Sequence, residues 1–101
     1  MTSPPPWLTL TSDPVPGAVI DGHTCRTRAA FFREAARALG FPAHFGHNWD
    51  AFLDSLRDLD RPVLTVSNAD ELLADEDPRQ FAILLDICAE SALPTTLAAS
   101  P

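Results

Sequence analysis

Short apolar runs alternate along the chain with longer segments in which apolar residues recur every three or four positions, and this alternation constrains the fold most. Residues 17–22 and 63–66 have the composition of buried strands, and residues 93–98 form a third, weaker candidate. Because strands separated by helical segments need crossover connections, the pattern predicts a small parallel sheet with helices packed against it. The predicted fold class is therefore α/β.

Helix signals fill the segments between these strands. Thr27 is a suitable N-cap for a helix over about residues 28–39. Apolar residues at helical spacing, preceded by a proline suited to a first turn, predict another helix over about residues 78–91. A shorter helix, capped by Ser67 or Asn68, is predicted after the second strand.

The N-terminal region differs in composition from the rest of the chain. Residues 1–16 contain five prolines, which disfavour regular helix, so we predict an extended leader there and a folded domain over residues 17–101. Within the leader, residues 7–10 alternate weakly and could add a short edge strand. The start of the chain lacks a secretory signal and no apolar run approaches the ~20 residues of a membrane span, so we expect a cytoplasmic location and no membrane contact.

The net charge of −7 is distributed unevenly. Residues 1–49 carry four arginines against three acids, whereas residues 50–101 carry three arginines against eleven acids. Direct binding of nucleic acid needs a basic surface, so this balance argues against it. An acidic half instead suits a basic protein partner, whose approach it would accelerate, although acidic charge also simply aids solubility.

Residues 41–56 are predicted to form a loop that leads into a helix. Pro42 prevents a helix from continuing through Phe41, Gly46 permits a tight turn, and Asn48 is a good N-cap for a helix that begins near Trp49. The predicted buried stripe of this helix comprises Trp49 at its margin, Phe52, Leu53 and Leu56. The opposite edge carries Asp50, Asp54 and Asp58. This acidic column is either a solvated helix face or a rigid set of carboxylates presented to a cationic partner.

Catalytic and metal sites are weaker interpretations of the same segment. His44, His47 and Asp50 follow at intervals of three, but the first two precede the helix, so we predict no metal site and no cofactor. The pair Asp50 and Asp54 could be drawn as a hydrolytic acid and base, yet nothing in the sequence separates their protonation behaviour, and we predict that the chain is not an enzyme. Cys25 and Cys88 have no metal-type spacing and are expected to be buried thiols.

The segment from Gly40 to Leu56 resembles the signature of the barstar family, small intracellular bacterial inhibitors of ribonucleases. The matching positions are Phe41-Pro42, the pair His44-Phe45, Gly46, Asn48, the apolar Trp49, Asp50-Ala51 and Asp54. The resemblance implies an α/β fold with three parallel strands and about four helices. It also implies that the protein inhibits a basic microbial ribonuclease of the guanyl-specific type, as a monomer that forms a 1:1 complex with its target.

The same resemblance implies roles for the polar residues of the segment. Asp54 is expected to enter the phosphate site of the ribonuclease, with Asp50 as a second anionic contact. Asn48 is expected to cap the helix and touch the partner. Asp58 is expected on the rim of the contact, where its loss would cost less than ~1 kcal/mol.

The loop and the apolar positions complete the expected partner-binding set. His44 and Phe45 occupy the two aromatic positions that stack on groups of the enzyme, and Gly46 allows close backbone approach. Trp49 is expected at the rim, and Leu53 stands where the best-known family member has tryptophan. If His44 packs on a catalytic cation, binding should weaken as His44 protonates below about pH 6.5. The alternative function is an antitoxin or immunity protein that binds a different cationic partner.

Overall fold

The computed structural model describes residues 5–12, 20–42 and 45–99. Within them, four parallel strands form one sheet in the order β1-β4-β3-β2. The strands are β1 (Leu8–Thr11), β2 (Ile20–Asp21), β3 (Leu64–Ser67) and β4 (Thr95–Ala98). The α/β class and the parallel sheet are therefore confirmed.

The sheet has one strand more than the three expected. The additional strand is β1, which lies where weak alternation allowed an edge strand, and it pairs with β4 from Leu8 opposite Thr95 to Thr11 opposite Ala98. Backbone groups along this side of β4 thereby gain partners. Only Ile20 and Asp21 of the predicted strand over residues 17–22 are in a strand, and residues 17–19 lie outside the described ranges.

Three α-helices occur in the described ranges: α1 (Arg28–Leu39), α2 (Trp49–Arg57) and α3 (Pro78–Glu90). They confirm the three longer predicted helices. The Thr27 hydroxyl accepts a hydrogen bond from the amide of Ala30, and Gly40 ends α1 in the left-handed conformation with φ of 72°.

The predicted fourth helix is only a 3-10 turn, Ala69–Glu71, and a second such turn covers Gly22–Thr24. Asn68 precedes the first of these turns with φ of 48° and makes no capping bond through its side chain. Its amide nitrogen donates instead to Oδ1 of Asp21 at 2.8 Å. The prediction of a capped helix was wrong because this contact across the sheet competes for the same side chain.

The core is formed by the helices and one face of the sheet. The largest side chains with almost no exposure are Phe31, Phe32, Phe52, Ile20, Leu64, Leu84 and Leu93. Cys25 and Cys88 are buried free thiols, as predicted. No helix in the described part of the chain is both long and apolar enough to span a membrane.

Candidate protein-binding site

Asn48 fixes the start of the acidic helix α2. Its backbone is extended, with φ of −147° and ψ of 168°, and its Oδ1 accepts a hydrogen bond from the amide of Ala51 at 2.8 Å. The predicted cap is therefore confirmed. Because one of the unpaired amides of the first turn is satisfied in this way, the helix begins at a defined position and carries Asp50 in its first turn.

Aromatic packing holds α2 against α1. Phe52 is fully buried, with ring centroids 5.5 Å from Phe31 and 6.3 Å from Phe32. Trp49 is half-buried against the same rings, and its Nε1 donates to Oε1 of Gln80 on α3 at 2.8 Å. This contact ties the first turn of α2 to a third element, and the sequence pattern gave no signal for it.

The loop before α2 turns an aromatic side chain inward. Phe45 is 8% exposed, and its ring lies 4.9 Å from Phe41 and 6.0 Å from Phe32, measured between centroids. Phe45 therefore serves first as a packing residue of this loop, and the partner contact expected for it stays a prediction. His47 is exposed beside it, whereas His44 lies outside the described residues.

A cavity of about 220 Å³ lies between this loop and α2. It is lined by Pro42, Phe45, Gly46, Ala51, Asp54, Ser55 and Asp58. Apolar groups of the loop and helix thus stand beside two carboxylates, an arrangement that can receive the stem and the charged end of a cationic side chain. Asp58, expected on the rim, shares this cavity with Asp54.

The expected partner-binding residues divide between the cavity and its surroundings. Phe45, Gly46 and Asp54 line the cavity together. Asn48 acts beside it as the helix cap and Asp50 is exposed in the first turn, and neither is a lining residue. Trp49 and Leu53 are half-buried and pack against the core.

Gly46 does not require the backbone freedom of glycine. Gly40 is the glycine with positive φ in the described part of the chain, so the φ of Gly46 is one that other residues also adopt. A Cβ built at Gly46 would lie 3.5 Å from Nδ2 of Asn48 and 3.9 Å from the Cβ of Ala51, which are ordinary contacts. The missing side chain therefore keeps the cavity open rather than permitting a strained turn.

Arg57 is a charged residue near the site that the sequence analysis missed. Its Nη1 lies 3.8 Å from Oδ1 of Asp54, and its Nη2 lies 3.4 Å from Oε1 of Glu90 on α3. The three-residue spacing between Asp54 and Arg57 could have indicated the first contact. Glu90 could not be identified in this way, because it comes from a different helix.

A second polar cluster lies at the carboxyl ends of β2 and β3. The Asn68 amide donates to the Asp21 carboxylate and lowers its pKa, with a smaller contribution from the backbone amide of His23. The Glu71 carboxylate bonds Nδ1 of His23 at 3.0 Å and raises the pKa of this imidazole. Arg26 joins the same Glu71 at 3.1 Å. These contacts connect the two 3-10 turns and stabilise the approach to α1.

Among residues 5–12, 20–42 and 45–99, no three side chains of His, Cys, Asp or Glu converge in a way that could hold a metal ion. His44, a member of the trio considered in the sequence analysis, lies outside these ranges. The arrangement of the cavity and the acidic helix instead provides charge, apolar contact and a fixed backbone, which are the requirements of a protein-binding surface.

Comparison with known proteins agrees with this interpretation. A family model described as Barstar (barnase inhibitor) matches residues 15–95. The match includes the loop, α2 and the cavity, whereas β1 precedes it. Comparison with curated proteins gives no match.

Proposed function

The chain belongs to the barstar family, and from this premise we propose that it is a protein inhibitor of a basic microbial ribonuclease rather than an enzyme. In this proposal, the loop and α2 together block the active site of the ribonuclease. Asp54 occupies the place of the substrate phosphate there.

The observation that carries the proposal is the cavity that Asp54 and Asp58 share with the loop. A ribonuclease active site binds phosphate through cationic side chains, and a preorganised carboxylate can form the same charge-assisted hydrogen bonds. The Asp54 side chain is 76% exposed, so a partner can reach it. The neighbouring Phe45 and Ala51 supply apolar contact for the stem of a cationic side chain.

Preorganisation also favours this function. The Asn48 cap and the packing of Phe52 fix α2 in the free protein. Little conformational entropy then remains to be lost on binding, which benefits affinity. The acidic second half of the chain, with eleven acids against three arginines, would accelerate association with a basic partner.

An inhibition assay tests the proposal. The purified protein is mixed with a panel of small guanyl-preferring microbial ribonucleases, and residual RNA cleavage is measured for the wild type, Asp54→Asn and Asp60→Asn. Asp60 is exposed and does not line the cavity, so its variant controls for the loss of one negative charge. We expect Asp54→Asn to weaken inhibition by roughly 30-fold to several thousand-fold, corresponding to about 2–5 kcal/mol, and Asp60→Asn to weaken it less than 5-fold.

Two results would contradict the proposal. Equal effects of Asp54→Asn and Asp60→Asn would mean that the cavity is not the contact surface. No inhibition of any ribonuclease in the panel would transfer support to the alternative, an antitoxin or immunity protein for another cationic partner.

A further inference from the structure

Arg57 places a positive charge beside the carboxylate that the proposed function assigns to the partner. The guanidinium is shared between two helices, with Asp54 one turn earlier on α2 and Glu90 near the end of α3, at 3.8 Å and 3.4 Å respectively. The side chains of Arg57, Asp54 and Glu90 are 58%, 76% and 59% exposed. All three are therefore accessible to a protein that approaches the acidic column of α2.

A cationic ligand at Asp54 must compete with this internal cation. Arg57 attracts the same carboxylate and repels an incoming guanidinium or ammonium group. Glu90 acts in the opposite direction, because it holds the guanidinium away from Asp54 at the shorter of the two distances. The attraction of Asp54 for a cationic ligand thus depends on whether the Arg57 guanidinium contacts Asp54 or Glu90.

We propose that Arg57 is a specificity-determining residue beside the acidic column of α2, and that Glu90 sets how strongly Arg57 competes with a partner for Asp54. This inference rests on the proposed function for its choice of partner. Arg57 then lowers the affinity for partners that present only cationic groups to Asp54. A partner that places an acidic group opposite Arg57, next to its own phosphate-binding cations, is favoured because it satisfies both charges.

A double-mutant cycle tests the competition. Dissociation constants for an inhibited guanyl-preferring ribonuclease are measured with Arg57→Gln, Glu90→Gln and the double variant. Arg33→Gln on the exposed surface of α1 and Asp60→Asn serve as controls with the same changes in net charge. We expect Arg57→Gln to tighten binding about 2- to 5-fold more than Arg33→Gln, and Glu90→Gln to weaken it about 2- to 5-fold more than Asp60→Asn.

The double variant separates competition from direct contact. If Glu90 acts through Arg57, adding Glu90→Gln to Arg57→Gln changes the affinity no more than Asp60→Asn does. A Glu90 effect of the same size in both backgrounds would overturn the inference, because Glu90 would then touch the partner itself. Binding of Arg57→Gln no tighter than that of Arg33→Gln would overturn it as well.

A second probe keeps this test independent of the ribonuclease. Hexa-arginine is titrated at low ionic strength into each variant, and the amide NMR signals of residues 50–58 report the dissociation constant. We expect Arg57→Gln to bind hexa-arginine more tightly than Arg33→Gln does, and Glu90→Gln to bind it less tightly than Asp60→Asn does. If no ribonuclease binds but this order appears, the proposed function fails and the role of Arg57 stands. Equal hexa-arginine binding by Arg57→Gln and Arg33→Gln overturns the role of Arg57 whatever the ribonuclease assay gives.

Discussion

Replacement of Gly46 with alanine is expected to weaken partner binding without destabilising the domain. A Cβ at this position meets its nearest neighbours at 3.5 Å and 3.9 Å, and the backbone is outside the left-handed region. The folded state therefore accommodates the methyl group. Because alanine also restricts the unfolded chain, the free energy of unfolding should change by less than about 1 kcal/mol, in the stabilising direction if at all.

Binding should respond differently because Gly46 lines the cavity with Asp54. One additional methyl group at a closely packed contact costs about 1–3 kcal/mol, which corresponds to roughly 5- to 140-fold in affinity. Urea denaturation measures the first quantity, and inhibition of a responsive ribonuclease measures the second.

Gly40 provides the matched control with the opposite expectation. It ends α1 with φ of 72°, and a Cβ there has no neighbour within 4 Å. Gly40→Ala should therefore lose about 1–2 kcal/mol of stability through backbone strain and leave affinity unchanged. The reasoning is refuted if Gly46→Ala destabilises the domain as much as Gly40→Ala does, or if its affinity equals that of the wild type.

Substitutions at three further positions test the supporting structure. Asn48→Ala should lower the free energy of unfolding by about 1 kcal/mol and Asn48→Asp by less, because only alanine removes the cap. Urea denaturation followed by circular dichroism measures both variants, and equal losses would argue against the cap. Gly22→Ala should cost at least about 3 kcal/mol in the same assay, since its Cβ would clash with the backbone oxygen of Asn68. A near-neutral result would contradict this close approach. Glu71 raises the pKa of His23, so the stability from this pair is fully present below the ordinary histidine pKa of about 6.5 and is lost as the pH rises through the raised value. His23→Gln should therefore reduce stability more at pH 5.5 than at pH 9, and a pH-independent difference would exclude the pair as a contributor.

Local sequence signals predicted the elements whose ends are fixed by nearby residues. Thr27 and Gly40 limit α1, and Asn48 begins α2, as the sequence analysis expected. Capping bonds join residues two to four positions apart, so the sequence alone contains both partners. The acidic side of α2 followed from the same short-range periodicity.

Features that depend on distant residues could not be predicted in this way. Weak alternation over residues 7–10 allowed a strand there, but its place in the sheet depends on pairing with β4 near the other end of the chain. The Asn68 side chain, predicted as a possible cap, instead donates to Asp21, 47 residues away in the sequence. The motif contains two adjacent aromatic-type positions, but only packing against α1 shows that Phe45 turns inward. The Arg57 guanidinium likewise contacts both Asp54 and Glu90 only because α2 and α3 lie side by side, and local sequence signals do not determine how two helices are placed.

Competition between the protein and a nucleotide phosphate tests the central claim most directly. The dissociation constant for an inhibited guanyl-preferring ribonuclease would be measured with increasing guanosine 3′-monophosphate, which occupies the phosphate site of such an enzyme. If Asp54 takes the place of the substrate phosphate, the apparent dissociation constant rises in proportion to nucleotide once the site is saturated, and this dependence weakens in Asp54→Asn. A dissociation constant that stays the same at saturating nucleotide would contradict the account.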